Sequence, residues 1–357
     1  MKRAPLLHPE VQAPGSEWLP YIQDAAWLPH AYDWRSDTLV FANLPKAAQR
    51  KAVFLDSRFV ADAPLSAPAP VEELSIGAIR EVSGQVHFLF HTAFCCSTLL
   101  ARALDIPGVS MGLKEPGVLS SFAEYWSGSR RTPGAFLALG AALDLLSRPL
   151  EPGETQIVKP SNVVNHIVPQ MLHARPDAKA IILYSSLDTF LRAIARRGME
   201  GRAFARQVFQ QFAPVIPIED GFTEADMMLL TDMQIAAQAW LMQTAFLDSV
   251  ARRFGRSIVR TLSSERFLAD TVGTLNAVSG FFNLSLDKQR AAEIAAGPVF
   301  SEHAKELGRP FDAAAFEAQH KQAGAMYADE IASAKNWARN LAMRYDTPLS
   351  LGETLFQ

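Results

Sequence analysis

Phe88-Leu-Phe-His-Thr-Ala-Phe-Cys-Cys-Ser-Thr-Leu-Leu-Ala-Arg-Ala-Leu104 passes from an apolar run, through a few small polar residues, into a stretch with the spacing of a helix. That order predicts a strand, a short loop and a helix. Such a turn aims unpaired backbone N–H groups and the positive end of a helix dipole at one point, which suits a phosphate or sulfate. Ser97 and Thr98 add hydroxyl donors, yet the same residues are ordinary N-caps and the Walker pattern GxxxxGK[ST] is absent. The segment alone therefore decides a strand–loop–helix and leaves anion binding open.

Outward from it, short apolar runs alternate with helical stretches: Val86-His-Phe-Leu-Phe90, Gln156-Ile-Val158, Lys179-Ala-Ile-Ile-Leu-Tyr184 and Ser257-Ile-Val-Arg-Thr-Leu262. This alternation is the signature of an α/β fold, a central mostly parallel sheet with helices on its faces. Ile235, Ala239, Met242, Phe246, Val250 and Phe254 recur at three- and four-residue steps and predict a long helix at 224–254 with one buried stripe. Residues 1–75 hold Trp18, Trp27 and Trp34 among prolines, lack a sustained period and end in Pro64-Leu-Ser-Ala-Pro-Ala-Pro70. They are expected to form an irregular cover and linker, with 76–357 as the α/β domain.

The chain has 357 residues, 49% of them apolar and 20% charged, which excludes a disordered tail or a fibre. Thirty-four Lys and Arg against 37 Asp and Glu give a net charge of −3, so no nucleic-acid partner is expected and any anion is bound locally. Cys95 and Cys96 are the only cysteines and are adjacent, which gives no disulfide framework and points to a reducing, cytoplasmic compartment. Pro5, His8, Pro9 and Glu10 interrupt any signal core, and His91, Arg102 and Asp144 break the most apolar windows, so neither export nor a membrane partner is expected. Oligomeric state is left open.

Four further features join the loop. Leu113-Lys-Glu-Pro116, Ile157-Val-Lys-Pro-Ser161, Ile182-Leu-Tyr-Ser-Ser-Leu-Asp-Thr-Phe-Leu-Arg192 and Val259-Arg-Thr-Leu-Ser-Ser-Glu-Arg-Phe-Leu-Ala-Asp270 follow it in order. Together with Phe94-Cys-Cys-Ser-Thr-Leu-Leu100 this series resembles the P-loop-like sulfotransferases that use 3′-phosphoadenosine-5′-phosphosulfate (PAPS), over about residues 86 to 286. The resemblance implies a three-layer P-loop NTPase-like fold. It also implies transfer of a sulfuryl group from PAPS to a hydroxyl or amine of a small-molecule or glycan-like acceptor, with PAP as product and no metal. Glu115 falls where the family has its base, and Lys159 where it has the lysine facing the sulfonate. The donor would be held by His91, Thr92, Ala93, Phe94, Cys95, Cys96, Ser97 and Thr98 of the loop, with Lys114, Tyr184, Arg192 and Lys305.

The chain departs from the family at four of these positions. Phe94 replaces the loop's Lys or Arg, and Cys96 replaces a Gly, its Cβ being expected to oppose a tight turn. Tyr184 stands in the place of the 3′-phosphate Arg and Arg192 in that of a Ser. Arg192 could also belong to a solvated face with Arg196, Arg197, Arg202 and Arg206, and His303 with Lys305 could close over the nucleotide. Three other readings stay in play: a non-catalytic nucleotide- or ligand-binding protein, an ATP-dependent phosphotransferase, and a phosphatase using the Cys96/Arg102 C-x5-R spacing. The last is opposed by Leu99, Leu100 and Ala101, which look like a buried helix face rather than an open cradle. The acceptor is not legible; it depends on loops 127–134 and 214–224 and on the N-terminal cover.

Overall fold

The computed structural model describes residues 15–128, 132–215, 226, 228–305, 310, 313–344 and 346–357. Residues 1–14 of the expected cover, and 129–131 and 216–224 of the two acceptor loops, lie outside them.

An antiparallel sheet comes first in the chain: β1 (Trp27–Asp33), β2 (Thr38–Asn43) and the two-residue β3 (Ala69–Pro70), in that order. The expected irregular cover is thus partly regular. Its alternation is hidden because Pro29 sits in β1, the register slips between Pro29 and Ala31, and Phe41 and Ala42 are both fully buried. Tyr32 of β1 stacks on Phe122 at 4.4 Å, and Trp18, Leu28 and Phe41 share one core with Phe88, Phe90 and Val158 of the main sheet. The hydrophobic core therefore runs across residues 75–76 without a break.

The main sheet is wholly parallel. Its strands are β4 (Val86–His91), β5 (Ser110–Lys114), β6 (Thr155–Lys159), β7 (Ala180–Tyr184) and β8 (Val259–Ser263), in spatial order β5-β6-β4-β7-β8. Phe88, Phe90 and Ile182 enter one core and Leu89, Ile181 and Leu183 the other, so both faces are covered by helices. Each such side chain contributes about 1.5–3 kcal/mol through its removal from water. This is the expected three-layer α/β fold.

The long helix spans Asp232–Phe254 and starts later than the expected 224, because the capping box between Thr231 and Gln234 sets its first turn. It is buried well beyond the expected stripe, Trp240, Gln243 and Thr244 included, because helices Gly198–Phe212 and Ala328–Arg344 also pack on it. One strand, β5, was absent from the pattern of apolar runs. Ser-Met-Gly-Leu-Lys is short and interrupted by Gly112, and that glycine is required by the fold: a Cβ there would lie 2.3 Å from the carbonyl oxygen of Ala101, in helix Ser97–Ala103.

Residues 54–58 are sewn onto the end of β5. Leu55 donates its N–H to the Lys114 carbonyl at 2.7 Å and accepts from Gly117 at 3.1 Å. The N-terminal layer is thereby brought to the carboxyl end of the main sheet, where ligands of open α/β sheets bind. Gly112→Ala would push helix Ser97–Ala103 off the sheet; a loss of about 2–3 kcal/mol in urea unfolding is expected, and an unchanged midpoint would contradict the close approach.

Candidate functional site

From β4 the chain crosses to β5 on one side of it, and from β7 to β8 on the other, so the loops leaving these strands part above β4. The β4 loop fills that crevice with an unusual backbone. Ala93, Phe94 and Cys96 all have positive φ (67°, 49° and 62°), although none is glycine. Contrary to expectation, the Cβ of Cys96 does not prevent the turn: the residue sits in the left-handed region at ψ 21°, as the N-cap of helix Ser97–Ala103, and no side chain caps that helix. Holding residues there costs about 1–2 kcal/mol apiece, which the surrounding core offsets.

His91 is one of the restraints. Its Nδ1 accepts the Ala93 N–H at 3.1 Å, so Nε2 carries the proton and donates to the Pro160 carbonyl at 3.1 Å. Burial first, and then the Lys159 and Lys305 charges, hold its pKa well below the usual value. His91 is accordingly a neutral staple between loop and β6 and does not replace the missing loop cation. Thr92 donates its N–H to Leu183, while its buried Oγ1 has no hydrogen-bond partner.

Neither thiol is activated. Cys95 donates to the Leu183 carbonyl, and burial pushes its pKa up to about 12; burial likewise raises Cys96 to about 11. Arg102 is turned away to Glu302 (3.2 Å) and the His303 carbonyl (3.2 Å). A C-x5-R phosphatase therefore lacks its thiolate, and the loop cysteines offer main-chain groups only. Phe94 packs with Phe190 and Phe204, and Arg197 lies over its ring at 5.7 Å.

Beside the loop, Glu115 and Lys159 are locked to each other twice. The Glu115 N–H donates to the Lys159 carbonyl at 2.7 Å, and Lys159 Nζ donates to Glu115 Oε1 at 2.6 Å. Glu115 is held at φ 56°, a fourth left-handed residue at the mouth of the sheet. Lys159 is fully buried, whereas the carboxylate keeps 13% of its side chain exposed. The structure thus brings together the expected base and the expected sulfonate lysine.

More positive charge gathers here than the sequence reading assigned. Phe54, from the segment sewn to β5, carries Arg58 at 4.3 Å from its ring centroid, Lys305 at 5.7 Å and Lys159 at 5.9 Å. Arg58 also reaches Glu115 Oε2 at 3.4 Å and pairs with Asp56. Lys305 is open to solvent as a residue, but its ammonium end reaches inward; loss of water there, and after it the Lys159 charge, lowers its pKa. Arg58 had no sequence signal, because only the fold carries residue 58 to residue 115.

At the phosphosulfate end these groups fit the donor that the resemblance implies: cations of several origins face a reversed-backbone loop with an unspent hydroxyl. The other end does not fit as expected. Tyr184 directs its hydroxyl to Ser350 and Gly352 at 3.4 Å, and Arg192 is bound to Asp188 with its guanidinium against Gly324. Of the suspected solvated face, Arg202 pairs with Glu330 and Arg206 with Asp232. No group of three or more potential metal-ligating side chains occurs among the described residues, and no described helix is long and apolar enough to cross a membrane.

Lys114 also departs from the expected geometry. It is 1% exposed and donates to the Arg50 carbonyl at 3.1 Å. Burial, opposed by Asp105 and reinforced by Arg102, Arg50 and Lys159, lowers its pKa to about 8. Below that value both the folded and unfolded chains carry the proton and the folded state bears the burial cost. Between about 8 and about 10.5 only the unfolded chain retains it, so stability rises with pH. Lys114→Met should stabilise the protein by about 2–3 kcal/mol near neutral pH, with the gain shrinking towards pH 10; a loss of stability at neutral pH in denaturant titrations would refute this.

No family model and no curated protein matches the chain. Among solved structures, sulfotransferase STF1 from Mycobacterium tuberculosis is similar at 10% identity and a TM-score of 0.39, over 71% of this chain and 79% of that one. Sulfotransferase STF9 from Mycobacterium avium gives 12%, 0.39, 71% and 79%. The sulfotransferase domain from the curacin biosynthetic pathway gives 13%, 0.37, 69% and 98%. Overlaps this loose assign no activity, which is argued below from the side chains.

Proposed function

We propose that this chain is a sulfotransferase that moves a sulfuryl group from PAPS to a hydroxyl or amine of a small-molecule or glycan-like acceptor. The observation that carries the reading is the fully buried Lys159 at 2.6 Å from the Glu115 carboxylate, at the ends of adjacent parallel strands and beside the strained loop. Sulfuryl transfer needs this combination: a base for the acceptor proton and fixed positive charge for the sulfonate. Glu115 takes the proton as the acceptor attacks sulfur. The bond from sulfur to the nucleotide's bridging oxygen breaks, and its electron pair leaves with PAP.

In the structure Glu115 is spent on Lys159 and Arg58, and donor binding resolves this. An arriving sulfonate draws both cations and leaves the carboxylate free to accept a proton. Arg58 moves at little cost, since its side chain is 57% exposed and such a pair is worth about 0–1 kcal/mol. Lys159 needs only to exchange one buried anion for another. Lys305 and Arg197 flank the loop that lacks a cation at Phe94. The two free cysteines suit a reducing cytoplasm.

The ion-paired Glu115 also favours a second reading, a nucleotide-binding protein on the same fold without transfer. Incubating the full chain with PAPS and a panel of phenols, sugars and amines, with PAP release as readout, separates the two. Transfer should appear, fall about 100-fold or more in Glu115→Gln, and leave the Kd for PAP within about threefold; retained PAP binding also shows that the variant is folded. Tight PAP binding without transfer to any acceptor would favour the binding protein, and preference for ATP over PAP would favour a phosphotransferase.

A further inference from the structure

On a wall that none of Glu115, Lys159 and Lys305 lines, a cavity of about 260 Å³ opens between Arg50, Lys51, Arg102, Asp105, Lys114 and Val299. Its charges are unevenly matched. Arg50 pairs with Asp105 and Glu154, and Arg102 with Glu302. Among the described residues, neither Lys51 nor Lys114 has a carboxylate within ion-pair distance. Lys51 is at the surface, but Lys114 is buried with a single carbonyl as its partner, and a carbonyl takes one of three ammonium hydrogens and none of the charge. A buried ammonium facing a cavity, with only the charge of Asp105 opposing its burial and Asp105 itself paired with Arg50, is a costly arrangement unless an anion completes it.

We propose that this cavity binds a tetrahedral oxyanion, sulfate or phosphate, free or carried as an ester, with Lys114 as its buried ligand and Lys51 at its mouth. A tetrahedral dianion offers acceptors in three dimensions to divergent N–H groups, whereas the lone pairs of a carboxylate lie in one plane. The space exceeds that of one oxyanion and leaves room for part of an ester's carbon skeleton. The cavity shares no lining residue with the Glu115–Lys159 pair and stands independently of the sulfotransferase reading.

Calorimetric titration of the full chain with sodium sulfate, inorganic phosphate and glucose 6-phosphate tests the proposal. Sulfate and phosphate should bind; Lys114→Met should weaken sulfate by about tenfold or more, and Lys51→Ala by about threefold. Glucose 6-phosphate binding more tightly than phosphate identifies an ester-borne group, and equal affinity a free ion. Lys114 faces Asp105, Arg102, Arg50 and Lys159, and its proton is needed to hold the anion. Sulfate affinity should therefore fall about tenfold from pH 7 to pH 9. Unchanged affinity in Lys114→Met, or no binding of any of the three anions, would overturn the site.

Discussion

The double lock between Glu115 and Lys159 sets the geometry on which the mouth of this sheet depends. A main-chain hydrogen bond fixes how β5 ends relative to β6, and the side-chain ion pair then uses that register to keep a buried ammonium compensated. Removing one partner of a buried pair typically costs about 3–5 kcal/mol, far more than an exposed pair contributes, so the two strand ends are held together as a unit. The left-handed Glu115 and the sewn-on segment carrying Phe54 and Arg58 follow from this unit, since residue 55 pairs with the chain on either side of Glu115.

The chain carries several costs at this end of the sheet: left-handed Ala93, Phe94, Cys96 and Glu115, a neutralised buried histidine, and a buried lysine with no carboxylate within ion-pair distance among the described residues. Such costs persist only where a rigid scaffold over-determines them, and the two cores on either face of the parallel sheet provide that scaffold. Among the described residues, four of the seven non-glycine residues with positive φ lie at the carboxyl ends of β4 and β5, beside the buried Lys159 that ends β6.

The sheet was legible because its four inner and far strands are apolar runs followed by helices; β5 was not, because Gly112 interrupts it to admit a helix backbone. The Glu115–Lys159 encounter was legible from the resemblance and from the strand-end position of Lys159. Arg58 and Phe54 were not, since their place depends on hydrogen bonds between Leu55 and residues 114 and 117, far along the chain. Cys96 shows the reverse failure: a local rule disfavouring a left-handed cysteine was overridden by packing on both sides of the loop. Tyr184 and Arg192 occupy the expected strand end and helix, yet hydrogen bonds to Ser350 and Asp188, invisible in the motif, direct them elsewhere.

The central claim is that cations from outside the β4 loop, gathered on Phe54, take the place of the basic residue that the loop lacks. The affinity of the Arg58→Ala/Lys305→Ala double variant for PAP, against that of the unaltered chain at one fixed salt concentration, tests it most directly. The account predicts a loss of about 100-fold or more, roughly 3 kcal/mol for two charge-assisted contacts. Equal affinity in the two proteins would contradict it.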